Sequence, residues 1–470
     1  MAANDFIFAP LVELARLIAA RELSSLEVTR AMLERIAALD GHYGSYVTVM
    51  SDSALDAARA ADDLRGRGVA SGPLHGVPVA VKDLCDASGV RTSAGMPRVR
   101  GDAPLALRDA TVVTRLRTAG AVILGKLQLT EGAVAHHHPD IRPPVNPHQA
   151  DYWSGASSSG SGVAVAAALC YAALGSDTGG SIRFPSFANG VTGLKPSWGR
   201  VSRAGVFPLS WSLDHIGPLA RSVFDCAAVL SAIAGADSDD PTASTAPVPD
   251  FVAACNAGVK GLRIGFDEEF ATTRVDAETV HAMRDALALF RDAGAQIVPV
   301  RIPATDEVVA AWFPLCTAEA AAAHAATYPA RSADYGPGLS GLLDTGLATS
   351  GMDYARAHDV RQRFRGALAA AFATCDVVIA PALMRQNLTL AEFAAFGARS
   401  EDWPELVRFT APFDISGTPT LSLPAGFNAA GAPFGFQLLG SHLGEAPLCA
   451  AGAMYQSHTN WHLRRPADPL

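Results

Sequence analysis

Two glycine- and serine-rich segments bracket an apolar run near the middle of this chain. Gly155-Ala156-Ser157-Ser158-Ser159-Gly160-Ser161-Gly162 precedes it, and Gly175-Ser176-Asp177-Thr178-Gly179-Gly180-Ser181-Ile182-Arg183 follows it. Linkers of such composition join polar segments, whereas the residues enclosed here, Val163 to Leu174, carry no charge. That stretch falls short of the ~20 residues that cross a bilayer, so 161–174 reads as a small-residue helix buried on most sides. A chain with such a segment needs a large core around it. At 49% hydrophobic and 18% charged residues it has one, which excludes a disordered or fibrous protein.

The flanking sequence has the rhythm of an α/β protein. The first 70 residues look helical, with Ser24 and Glu27 as a capping box before Val28, Met32, Leu33 and Ile36, and a second amphipathic helix over 52–65. A buried strand over 77–81 ends at Lys82-Asp83, followed by a helix at 110–118 and a strand at 121–124. Further strands are expected at 263–266, 296–300 and 377–380, with helices at 278–293 and 354–373. Composition marks one linker, 236–250. A net charge of -9 without a basic block argues against nucleic-acid binding. Seven scattered cysteines with no C-x-x-C pair point to reduced thiols. The N-terminus lacks a basic region and long apolar core, so a cytoplasmic location with no membrane attachment is expected.

The glycine-serine segments fail two familiar motifs on specific residues. Gly155-x4-Gly160 begins like a phosphate-binding loop, but Ser161 stands where its lysine belongs. Neither serine cluster fits G-x-S-x-G, because Ile182 and Arg183 follow Ser181. Taken with Gly76-Val77-Pro78-Val79-Ala80-Val81-Lys82-Asp83, Gly193-Leu194-Lys195-Pro196, Leu213-Asp214-His215-Ile216-Gly217-Pro218 and Gly435-Phe436-Gln437-Leu438-Leu439-Gly440, they resemble the amidase signature family of serine hydrolases. The resemblance spans about 10–465. It implies an α/β fold in which a large, mixed, twisted β-sheet is covered by helices on both faces. It also implies one domain over 1–470, made of an N-terminal helical segment (1–70), a catalytic core (71–235), a surface linker (236–250), a variable pocket region (303–352) and a C-terminal part of the same sheet (376–465). The catalytic set it implies is Lys82, Ser157 on a cis peptide after Ala156, and Ser181 as nucleophile. Asp414 stands where relatives often carry asparagine.

The chemistry can be judged from the residues as well. A serine hydroxyl is inert near neutral pH without a base, and a neutral lysine can be that base. The free pKa of lysine is ~10.4, and burial can bring it to ~7–8. Lysine is scarce here: of 37 lysines and arginines, only Lys82, Lys126, Lys195 and Lys260 are lysines. Lys82 closes an apolar strand, suited to burial; the alternative is a salt bridge to Asp83. Ser157 would relay the proton from Ser181 to Lys82. The turn Thr178-Gly179-Gly180-Ser181 can aim successive N–H groups at one oxygen, because glycine tolerates the conformations required, and is the expected oxyanion hole. Ser158, Ser159 and Ser176 would brace the loops. For Asp177 and Arg183 the family resemblance implies a structural role, an ion pair orienting the turn, with direct substrate contact by Arg183 the alternative.

Two histidine readings compete. His136-His137-His138, with Asp140 and His148, invites a metal site, but adjacent histidines on an extended segment point to opposite sides and no i, i+4 helical pair exists. Neither a metal nor a cofactor is expected. His215 suggests a Ser-His-Asp triad, but with Lys82 present a structural role is favoured. Tyr152, Trp153, Trp312 and Phe313, with Tyr328 and Tyr335, either line an apolar pocket or belong to ordinary packing.

The expected function is hydrolysis of a small-molecule amide or carbamate, aryl or otherwise apolar, and of esters, by a monomer or homodimer. The alternative is a glutaminase-type A subunit of a tRNA-dependent amidotransferase. There glutamine typically follows the motif arginine; here Phe184 does. A binding scaffold without catalysis is the third reading.

Overall fold

Apolar, β-branched runs between amphipathic helices produce a mixed sheet in this computed structural model, which describes residues 6–69, 72–397 and 402–469. Among the described residues eleven strands join it: β1 (Tyr46–Val49), β2 (Pro78–Lys82), β3 (Val122–Leu127), β4 (Ala172–Asp177), β5 (Thr192–Lys195), β6 (His215–Ala220), β7 (Arg263–Phe266), β8 (Gln296–Pro299), β9 (Val377–Pro381), β10 (Thr420–Phe427) and β11 (Pro433–Gly440). Their order is β1-β3-β2-β4-β6-β5-β10-β11-β9-β7-β8. Parallel pairs (β3-β2-β4 and β9-β7-β8) flank an antiparallel centre. Every residue of β2 to β6 is buried, so helices cover both faces there, while the edge strands β1 and β8 stay half open.

Most expected elements lie within a few residues of their places. The Ser24 side chain accepts the Glu27 N–H at 3.0 Å and starts the helix Ser25–Tyr43, which the left-handed Gly44 ends. Two differences matter. The first seventy residues also contribute β1. The apolar run read as a single helix is a helix, Ser159–Ala166, and then β4. The break lies at Ala168, whose φ of 53° leaves the helical region. A run apolar on all sides has no periodicity to separate a buried helix from a buried strand.

Segment 236–250 contains no helix or strand, yet it is tied to the body. Asp237 accepts from the Thr111 and Ser202 hydroxyls, and Asp240 accepts the Arg203 N–H. The seven cysteines are buried and unpaired. Among the described residues no helix is long and apolar enough to cross a membrane.

Candidate active site

β2 and β4 are parallel neighbours, with Ala80 opposite Ala173 and Val81 opposite Leu174, so their carboxyl ends finish side by side. Ligands in open α/β sheets bind beyond such ends. Lys82 is the last residue of β2, and Ser176 and Asp177 are the last of β4. Lys82 is fully buried, and its Nζ donates to the Oγ atoms of Ser157 (2.7 Å), Ser158 (2.9 Å) and Ser176 (2.9 Å). Burial pushes its pKa down to about 7, and the more distant Asp177, Cys85 and Asp214 oppose this only in part. The adjacent Asp83 is taken by Lys126, 2.7 Å away, and by the Ser93 N–H. Among the described residues no carboxylate lies within ion-pair distance of Lys82.

Ser157 follows a cis peptide bond at Ala156. The next N–H, of Ser158, donates to the Ser181 carbonyl at 3.3 Å, joining the two serine segments. The turn from Thr178 to Arg183 is wound around one carboxylate. Asp177 Oδ1 accepts the Gly180 N–H at 2.6 Å, and Oδ2 accepts the N–H groups of Ile182 (2.9 Å) and Arg183 (3.3 Å). The Arg183 guanidinium completes the ring, with Nε and Nη2 on Asp177 at 3.0 and 2.9 Å, Nη2 on Asp414 at 2.6 Å and Nη1 on the Thr410 carbonyl at 3.0 Å. Arg183 is thus occupied inside the protein. The Gly180 N–H, one of the four oxyanion donors expected from sequence, is likewise committed to Asp177. Steric fit explains both turn glycines: a Cβ on Gly179 would meet the Trp312 ring at 2.7 Å, and one on Gly180 (φ 133°) the Phe184 ring at 2.4 Å.

The two carboxylates on Arg183 are shifted in opposite directions. Burial raises Asp177, but Arg183, then Lys195 and the Ile182 N–H, outweigh it and hold the group ionised. Burial raises Asp414 well above the carboxylate range; Asp177 adds to this, and Arg183 and Lys195 do not compensate. Asp414 is therefore the partner that burial holds less firmly in the charged form, and asparagine there would keep an oxygen to accept from Arg183. Asp414→Asn is expected to change stability by under about 1 kcal/mol. Asp177→Asn should cost about 3–5 kcal/mol, because it removes the carboxylate that holds Arg183 through Nε and Nη2 and gathers the N–H groups of the turn. Denaturant unfolding of both variants distinguishes them; equal losses would contradict the assignment.

Ser181 opens onto a cavity of about 630 Å³ with Thr178 and Gly179 also in its wall. Of the aromatic residues read as pocket wall or ordinary packing, Trp153, Trp312 and Phe313 line it, but Tyr152 does not; it bridges to Thr389 instead. Tyr328 and Tyr335 pack on each other away from the cavity, ring centroids 5.2 Å apart. Sequence reasoning missed Phe393, which stacks on Trp153 at 4.5 Å, and Trp403 beside it. It also missed Thr410, whose hydroxyl donates to the Gly179 carbonyl at 2.6 Å. These residues follow the turn at 178–183 by more than 200 positions, in a segment with no motif of its own.

The histidines go separate ways. His136 lines the cavity, His137 meets the Ser159 hydroxyl at 3.0 Å, and His138 Nδ1 accepts the Asp140 N–H. Among the described residues no group of His, Cys, Asp and Glu is arranged to hold a metal ion. His215 points Nδ1 at the Asp177 carbonyl (3.2 Å), and burial holds its pKa well below normal. Lys195 donates to the Thr418 carbonyl at 2.6 Å.

Comparison with known proteins adds whole-chain likeness to this geometry. The family model described as Amidase matches residues 27–449. The protein named AmiD of Mycobacterium tuberculosis is 45% identical over 456 residues, 97% of this chain and 95% of that one. The glutamyl-tRNA(Gln) amidotransferase of Geobacter sp. has an A subunit that is 38% identical, covering 96% of this chain and 98% of its own. The X-ray structure of native peptide amidase from Stenotrophomonas maltophilia superposes with a TM-score of 0.84 at 32% identity, over 99% and 100% of the two chains.

Proposed function

Because this chain belongs to the amidase family and is a hydrolase of amide C–N bonds, we propose that it cleaves apolar, aryl-bearing amides through an acyl-enzyme on Ser181. The observation that carries the substrate class is the cavity wall. Among the described residues no Asp, Glu, Lys or Arg lines it, burial lowers the pKa of His136, and its surface is mainly Trp153, Phe184, Trp312, Phe313, Phe393 and Trp403 among aliphatic and a few hydroxyl-bearing residues. Free glutamine carries an ammonium and a carboxylate, and burying either without a partner costs several kcal/mol. An uncharged aryl group gains about 25 cal/mol per Å² buried.

In the proposed reaction neutral Lys82 draws a proton from Ser157, which draws one from Ser181 as its oxygen attacks the carbonyl carbon. The developing oxyanion takes N–H donors from the turn at Gly179 and Ser181. The relay then returns the proton to the leaving nitrogen, the C–N bond breaks, and water deacylates Ser181 along the same path. Carbamates and esters differ in the leaving group and fit the same scheme. Likeness to the amidotransferase chain keeps glutamine as the rival substrate.

The test is a matched panel of anilides, aryl carbamates, aliphatic amides and glutamine, read by release of amine or ammonia, with quenched samples examined for an acyl adduct on Ser181. Aryl substrates should exceed glutamine in kcat/KM by about 10³-fold or more, a difference of ~4 kcal/mol. Glutamine turnover equal to that of anilides would overturn the substrate class, and an adduct elsewhere would overturn the nucleophile.

A further inference from the structure

The planarity of the peptide bond links the cavity wall to the nucleophile turn. In a trans peptide the C=O and N–H point in opposite directions, so whatever holds the Thr178 carbonyl also aims the Gly179 N–H. That carbonyl is held by Trp312, whose Nε1–H donates to it at 2.8 Å from the helix Asp306–Ala323. The seat is close, as the 2.7 Å between the Trp312 ring and a Cβ built on Gly179 records. The next peptide is held likewise: Thr410 grips the Gly179 carbonyl at 2.6 Å, and the Gly180 N–H on its far side meets Asp177 at 2.6 Å. The two clamps give consecutive N–H groups different duties. Gly180 is turned onto the buried carboxylate, and Gly179 is turned away from the indole.

We infer that Trp312 is a positioning residue for catalysis: by holding the Thr178 carbonyl, its indole N–H aims the Gly179 N–H at the substrate oxygen that becomes negative when Ser181 attacks. The inference rests on the assignment of Ser181 as nucleophile given above. The same ring lines the cavity, so it contributes twice, as apolar wall through its face and as an orienting donor through its nitrogen. The two contributions separate kinetically. The wall acts on bound substrate and transition state alike, whereas the donor matters where charge develops.

Trp312→Phe keeps an aromatic wall and removes the N–H. Benzothienylalanine incorporated at position 312 keeps the outline of the whole bicycle, sulfur replacing the N–H, and serves if phenylalanine impairs folding. With an anilide substrate, kcat should fall about 10- to 100-fold while KM stays within about threefold, less than loss of a whole oxyanion donor. Affinity for an aryl boronic acid, a tetrahedral mimic, should fall by the same factor as kcat. Affinity for an unreactive N-aryl sulfonamide should not change. Unchanged kcat in the benzothienyl variant, or a rise in KM without loss of boronic-acid affinity, overturns the inference. Fluorophosphonate labelling of the wild-type enzyme runs alongside. If Ser181 is not labelled, the nucleophile assignment itself fails; if it is labelled and kcat is unchanged, only the role of Trp312 fails.

Discussion

Ser181→Ala is expected to lower kcat on anilides by on the order of 10⁵-fold or more and to abolish the acyl adduct, since removing a nucleophile disables the whole relay acting with it. The fold should survive, because the Asp177 ring is built from backbone N–H groups and Arg183, and none of these bonds uses the Ser181 side chain. The cavity is also unchanged in size and charge, so the variant should still bind substrate with an affinity close to wild type. Equilibrium binding of an anilide together with single-turnover kinetics checks both halves. Turnover within about 100-fold of wild type would remove Ser181 from the mechanism.

Lys82→Arg is expected to lose about 10³- to 10⁴-fold in kcat, the scale of general-base catalysis, even though it conserves charge. Arginine stays protonated in a protein, so Ser157 would face a donor that cannot accept. Lys82→Met, which is neutral and of similar length, should lose as much and separates lack of a base from crowding by the guanidinium. The pH profile of the wild type gives an independent reading. In the proposed relay the neutral amine is the active form, and burial pushes its pKa down to about 7. So kcat/KM should rise tenfold per pH unit below about 7 and level off above it. An arginine variant with a tenth of wild-type activity, or a profile flat from pH 5 to 8, would contradict this role. Lys126 contributes indirectly: it occupies Asp83, the carboxylate next in the chain to Lys82.

How much of this was legible beforehand depends on the range of the interactions. Residues 76–83 and 155–183 form contiguous patterns, so Lys82, Ser157 and Ser181 stand out from spacing and resemblance as the trio proposed here. The division of 163–174 into a helix and β4 could not, because uniform apolarity hides the turn at Ala168. The three hydroxyls around Lys82 are half visible: the sequence suggests bracing of the loops for Ser158 and Ser176, and both lie on its amine. Commitment of the Gly180 N–H to Asp177 follows from three-dimensional closure of the turn, which a string of glycines leaves open. Trp312, Phe393, Trp403 and Thr410 meet the turn only because helices and loops far along the chain fold back over β4. Aromatic composition suggested Trp312 without its hydrogen bond and gave no reason to separate it from Tyr328 or Tyr335.

Much of the cavity wall comes from stretches of chain other than the one that carries the chemical centre. The proposed reacting groups come from residues 82–183, and the remote walls from residues 312–345, Phe393 and residues 403–407. Substitutions in those two stretches can retune which molecule is admitted while the proton path stays intact, so a lineage with this fold can change diet without reinventing its reaction. Trp312 is the exception. There a change of taste also disturbs the clamp on Thr178, and that position should resist drift even as its neighbours along the wall diverge.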